Sequence, residues 1–237
     1  MKKIYLVALL CPLSIMACTS KNSEYAVEGP EEWTVLFDGS NLDQWRGFKK
    51  DHVPSVWYIE DSVLICMDSE MRNAEEAETG DIMTREKFQN FELSLEWKIS
   101  TGGNSGILYF VQETDSSNYS YYTGPEMQVL DNEMAGDNLE KHMAGDLYDL
   151  ISCSKISVKP VGEWNSVRIV ADGSHVEHWL NGVKVIDYDL QSVEMDSLMK
   201  NSKWANYPEF GLTTSGHIAL QDHGNRVWFR NVKIRSL

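Results

Sequence analysis

An all-β domain of antiparallel strands, packed as a sandwich or barrel, is predicted by three observations. Short alternating or β-rich runs recur, turn signals separate them, and helical periodicity is scarce. In chain order the runs begin with WTVLF (33–37) before DGSN, VWYIE (56–60) and SVLIC (62–66). FELSLEWKI (91–99) follows, with Phe91, Leu93, Leu95 and Trp97 on one face and Glu92, Ser94, Glu96 and Lys98 on the other, the pattern of a half-buried strand. TGGNSG (101–106) is a turn leading into SGILYFV (105–111), and EMQVL (126–130) again alternates polar and apolar residues. SVRIVA (166–171) precedes the clearest hairpin, HVEHWL and VKVIDYDL joined by Asn181-Gly182, because a type I′ turn needs positive φ at both central positions. HIALQ (217–221) and VWFRNVKI (227–234) complete the set, and one short helix is expected over 193–202, VEMDSLMKNS.

Residues 1–17, MKKIYLVALLCPLSIMA, carry two lysines and then a short apolar run, the pattern of a secretory signal peptide. The run ends Ile15-Met16-Ala17-Cys18, which resembles a lipobox and predicts lipidation at Cys18, followed by a polar tether over 18–31. The expected location is the cell envelope, with the membrane reached through the lipid anchor only. Residues 32–237 are expected to form a single domain. Two cysteines remain for it, Cys66 and Cys153, which leaves one disulfide or two thiols open. The formal charge of −15 argues against a nucleic-acid partner.

Two long inserts break the strand rhythm, at 67–81 and 131–163, and long loops on a rigid sheet are where sites are built. The six histidines offer no metal set: His175 and His178 fall on opposite faces of their strand. Asp131, Asn132, Glu133, Asp137 and Asn138 are rich in oxygen ligands but lack calcium-loop spacing, so no cofactor is expected and a divalent cation has no ligand motif behind it. No phosphate loop, dinucleotide fingerprint or nucleophile elbow is present. If HIALQDH is extended, His217, Ala219, Gln221 and His223 share a face suited to a flat, hydroxyl-rich ligand or, equally, to solvent. Trp45, Trp57, Trp164, Trp179, Trp204 and Trp228 are numerous enough that one or two could stack on a sugar while the rest serve the core.

LFDGSNLDQW (36–45), NFELSLEWKISTGGNSGI (90–107), GPEMQVLDNE (124–133), AGDLYDLIS (144–152), VGEWNSVRI (161–169), WLNGVKV (179–185) and HIALQDHGNRVWFRNVKI (217–234) together resemble the 3-keto-disaccharide hydrolase domain family. The resemblance implies a concanavalin A-like jelly-roll β-sandwich of two antiparallel sheets. It also implies cleavage of glycosides oxidised to a ketone at carbon 3, by hydrolysis or β-elimination. Two positions depart from the family pattern: Phe110 stands in place of an arginine, and Ala135-Gly136-Asp137 in place of His-Pro-Asp.

Retaining glucanases of this fold set two carboxylates about 5 Å apart on one strand. Here the corresponding positions are Glu126, Gln128 and, only with a bulge, Asp131, so double displacement is poorly served. A ketone at carbon 3 changes the requirement, because it acidifies the hydrogen on carbon 2 and a base plus a proton donor then suffice. Glu126 and His223 are the candidates for those two roles. Gln128, Gln221, Asn104 and Tyr148 are expected to bind hydroxyls or an enolate oxygen, with Asp131 and Arg230 as further substrate-binding candidates. The alternatives are a carbohydrate-binding lipoprotein without catalysis, and a glycoside hydrolase acting on unoxidised sugars.

Overall fold

A computed structural model describes Met1, residues 32–137 and residues 139–237. The signal segment, Cys18, the tether and Asn138 lie outside the described residues. The strands are β1 (Thr34–Phe37), β2 (Trp45–Gly47), β3 (Trp57–Glu60), β4 (Val63–Cys66), β5 (Ile82–Thr84), β6 (Phe88–Gln89), β7 (Phe91–Ile99), β8 (Asn104–Val111), β9 (Glu126–Leu130), β10 (Asn165–Asp172), β11 (His175–Leu180), β12 (Val183–Asp189), β13 (Ser215–Leu220) and β14 (Val227–Ser236). β2, β5 and β6 have no counterpart in the sequence reading, since two or three residues are too few to show alternation. The expected helix forms as α1 (Val193–Lys200), its N-terminus capped by Ser192 Oγ, which accepts from the Met195 amide at 3.1 Å.

One sheet runs β12-β11-β10-β7-β14-β4-β3 with β1 also on β14; the other runs β2-β5-β13-β8-β9 with β6 on β13, and the pairs are antiparallel. Alternation drives the packing. Leu93, Leu95, Trp97, Ile169 and Phe229 of the first sheet meet Ile107, Tyr109, Met127, Val129, Ile218 and Leu220 of the second in one buried core, each fully buried large apolar side chain contributing about 1.5–3 kcal/mol. Asn181 and Gly182 take φ of 51° and 80°, as a type I′ turn requires. His175 and His178 do face opposite ways: His175 is exposed, whereas His178 is buried and bonded to the Tyr109 hydroxyl at 2.9 Å. Burial lowers the His178 pKa to about 4, so it serves the core as a neutral ring. Cys66 and Cys153 are free thiols. Phe110 is buried at φ 58°, edge-on to Phe91 and Tyr109, so the position where the family pattern has arginine belongs here to the core.

The second sheet turns its other face outward, and there Leu108, Met83 and Ala219 form a small second apolar cluster against Phe48 and Val111. The outer edge of β9 is not left open. The insert after it returns so that Tyr148 N donates to Glu126 O (3.0 Å), Gln128 N to Asp146 O (3.1 Å) and Gly145 N to Gln128 O (2.8 Å). This strap covers an edge that would otherwise invite pairing with another chain, and it carries Tyr148 to the sheet face.

Candidate active site

β8 and β9 pair without a bulge, Asn104 opposite Leu130, Gly106 opposite Gln128 and Leu108 opposite Glu126. Period-two alternation therefore sends Met127 and Val129 into the core and Glu126 and Gln128 to the outer face, beside Asn104 and Gly106. These side chains floor a pocket of about 240 Å³ lined by Asn104, Tyr121, Glu126, Gln128, Tyr148, Lys203, Trp204, Tyr207, Gln221 and His223. Six predicted residues thus converge: Glu126, His223, Gln128, Gln221, Asn104 and Tyr148.

Two predicted residues lie elsewhere. Asp131 is an odd number of residues from Glu126 on an unbulged strand, so its side chain leaves by the opposite face. Its carboxylate accepts from the Gly102 amide (2.8 Å) and the Glu133 amide (3.0 Å), which closes the TGGNSG turn. It borders a larger, more apolar hollow of about 630 Å³ beside Ile99, Leu130 and Val158, on the other side of β9. Arg230 is on β14 in the first sheet, paired with Glu96 (Nε to Oε2, 3.0 Å) and stacked on Trp164 at 4.1 Å. Its neighbour Phe229 faces the core, so Arg230 must face away from it. His217, expected on the face with Gln221, instead donates from Nδ1 to Thr84 O at 2.8 Å, after a register shift between His217 and Ala219. The loop residues with oxygen ligands are likewise engaged by the protein. Asp137 binds His142 Nδ1 (2.7 Å) and the Tyr148 hydroxyl (3.2 Å), while Asn132 Oδ1 accepts from the Ala144 amide (2.8 Å).

Glu126 is 4% exposed, and among the described residues no donor hydrogen-bonds its carboxylate. Burial pushes its pKa up to about 8; the negative charge of Asp81 adds to the shift and the Lys203 ammonium opposes it. Asp81 is itself pushed up to about 6 by burial, although the Ser120 hydroxyl and the Asp222 amide (2.9 Å) both bond it. Asp222 in turn carries the loop that presents Gln221 and His223, and Arg72 holds it bidentately at 2.6 and 3.2 Å. Gln128 Nε2 donates to Asn104 Oδ1 at 3.2 Å, and among the described residues Gln128 Oε1 is buried without a partner. Gln221 Oε1 and Trp204 Nε1 are likewise buried and unpartnered among the described residues. Native interiors rarely leave such atoms orphaned, and three of them line this one pocket, so it presents two acceptors and one donor to whatever polar molecule fills it.

Sequence reasoning did not bring Tyr121, Lys203 and Tyr207 to this site. Lys203 and Tyr207 lie in the connection between α1 and β13, on a 3-10 turn (Lys203–Asn206) and just after it. Lys203 Nζ sits 4.0 Å from the Tyr148 ring and 4.8 Å from the Trp204 ring, and it has no ion-pair partner among the described residues. Burial lowers its pKa, while the carboxylates of Asp149, Glu126 and Asp137 pull the other way. The length of that connection was the available signal.

The 3-keto-alpha-glucoside-1,2-lyase-like domain family matches residues 32–235, and the chain belongs to that family. A 3-keto-disaccharide hydrolase of Bacteroides thetaiotaomicron is 35% identical over 255 aligned positions, covering 98% of this chain and 87% of that protein. The crystal structure of a candidate glycosyl hydrolase from Parabacteroides distasonis superposes with a TM-score of 0.78 at 33% identity, over 86% of this chain and 94% of that one. A Bacillus subtilis protein of galectin-like fold shares the architecture alone, with 11% identity and a TM-score of 0.52 over 88% of this chain and 96% of its own. The jelly-roll β-sandwich expected from the sequence is the fold observed.

Proposed function

We propose that the chain cleaves glycosides already oxidised to a ketone at carbon 3, with Glu126 as the base that removes the hydrogen on carbon 2. One observation carries this reading: among the described residues, Glu126 is the sole carboxylate lining the pocket, and it is buried without a protein donor. Retaining and inverting hydrolysis of ordinary glycosides each need two carboxylates flanking the bond. Gln128 stands where the second would be, and Asp131 points away. A 3-keto sugar needs only one. Its carbonyl acidifies the carbon 2 hydrogen, and burial makes Glu126 a stronger base than an exposed glutamate.

The steps balance as follows. Glu126 takes the proton from carbon 2, and the electron pair forms an enolate whose oxygen the Lys203 ammonium stabilises. The enolate collapses to expel the group on carbon 1, breaking the C1–O bond and leaving a double bond between carbons 1 and 2. The departing oxygen takes a proton from His223, which is exposed beside Gln221. Adding water across that double bond, hydroxyl to carbon 1 and hydrogen to carbon 2, turns the elimination into net hydrolysis. One base therefore accounts for both the lyase named in the family and the hydrolase named in the relative. Gln128 and Gln221 supply acceptors for sugar hydroxyls.

Mass spectrometry of products from 3-keto and ordinary glycosides, run in deuterated water, tests the scheme. The expected outcome is turnover of the keto sugars alone, with either an unsaturated product one water lighter or a hydrolysed sugar labelled at carbon 2. A hydrolysed product without label removes the carbon 2 step, and turnover of ordinary glycosides removes the requirement for the ketone. The pH profile is a second check. A base that must be unprotonated in the free enzyme makes kcat/KM rise with pH and level off above about 8, whereas Glu126 acting as the proton donor would hold kcat/KM level below about 8 and make it fall above. The lipobox-like run Ile15-Met16-Ala17-Cys18 supports an envelope location for this activity, with lipid on Cys18 as the anchor.

A further inference from the structure

The stretch Asn118–Tyr122, NYSYY, has no part in the scheme above, yet it places three tyrosines within four positions beside the pocket mouth. A 3-10 turn over Ser120–Tyr122 fixes them, with Tyr122 N donating to Tyr119 O at 3.1 Å and the buried Ser120 hydroxyl donating to Asp81. Tyr119 stacks on Tyr121 with centroids 5.3 Å apart and planes 13° from parallel, and Tyr207 meets Tyr121 edge-on at 6.2 Å. Tyr121 and Tyr207 line the pocket, whereas Tyr119 is 54% exposed. The rings thus run from the pocket out to solvent. Among the described residues their hydroxyls make no protein hydrogen bond, so each ring keeps a free polar tip, while the stacking occupies one face of Tyr119 and one of Tyr121.

Size gives this row its role. The pocket's 240 Å³ falls below the roughly 300–1,000 Å³ of sites that enclose a whole drug-sized ligand. It can enclose the keto sugar over Glu126, but the group beyond the glycosidic oxygen must lie at the rim. Tyr121 itself packs on the second apolar cluster of the sheet face, so it walls the pocket on that side.

Resting on the proposed function, we infer that Tyr119, Tyr121 and Tyr207 form a leaving-group shelf that selects glycosides whose departing group presents a flat face. A pyranose ring and an aryl ring share that chemistry; a methyl group lacks it. The test compares kcat/KM for three 3-keto-glucosides, with glucosyl, phenyl and methyl leaving groups, in the wild type and in Tyr119→Ala, which removes an exposed ring and spares the core. Loss of one aromatic stacking contact lowers kcat/KM about three- to tenfold. That loss is expected for the glucosyl or the phenyl substrate, with the methyl glycoside unchanged, and whichever loses more identifies the group the shelf reads. Tyr207→Phe, which keeps the ring, should preserve the discrimination. An equal loss on all three substrates, or none on any, overturns the shelf. If the wild type turns over none of the three, the hydrolase reading fails and the leaving-group site falls with it, an outcome distinct from turnover without discrimination.

Discussion

Replacing Glu126 by Gln lowers kcat/KM on a 3-keto-glycoside about 10²- to 10⁴-fold, the range for loss of a positioned general base, and the loss is in kcat. Gln is isosteric and can still bond a hydroxyl, so substrate binding survives while the proton acceptor is gone. The same variant is more stable than the wild type at high pH. Burial raises the folded-state pKa of Glu126 from 4.5 to about 8, so the fold favours the neutral carboxyl. The stability this contributes is fully present below about pH 4.5 and is lost as pH rises through about 8. Glu126→Gln has no such charge to bury. Its melting temperature should exceed that of the wild type at pH 9, with the difference disappearing toward pH 4. Full turnover by the variant would remove Glu126 from the mechanism, and equal melting temperatures at pH 9 would mean that its carboxylate is not isolated in the folded protein.

Alternation alone put Glu126 and Gln128 on one face of EMQVL, because strand period is a local property of the backbone. The same parity argument turns Asp131 away unless a bulge intervenes, and none does. Arg230 was open to the same test, since Phe229 beside it is an obvious core residue; charge alone had suggested it for the site. Gln221 and His223 reach the pocket past the end of β13, held by Arg72 and Asp222 rather than by the strand rhythm. Lys203 and Tyr207 lie far along the chain from Glu126 and come near it only through the tertiary packing of the connection before β13, about which no local pattern speaks. The sheet was legible because its order is periodic. The pocket walls were not, because they are made by loops whose contacts are long-range.

Gly106 supplies the most specific remaining test of the geometry. It lies on β8 opposite Gln128, its carbonyl accepts from the Gln221 amide at 3.0 Å, and its backbone is in a conformation open to any L residue. A Cβ added there would fall 2.0 Å from Glu126 Oε1 and 2.6 Å from its Cδ. The Glu126 carboxylate thus rests in space that exists only because position 106 has no side chain. The obstacle in Gly106→Ala is the far end of a flexible side chain, so the sheet can keep its register while the carboxylate is pushed out of place. Misplacing a reacting group by about 1 Å costs on the order of 10²-fold in rate, and Gly106→Ala should show a loss of that size with a cooperative unfolding transition retained. The decisive measurement is the double variant. If alanine acts by displacing the base, then Gly106→Ala adds almost nothing once Glu126 is Gln, because the function it disturbs is already absent. Losses that multiply would mean instead that Gly106 serves the substrate directly, through space needed by the sugar ring, and that Glu126 keeps its position without it.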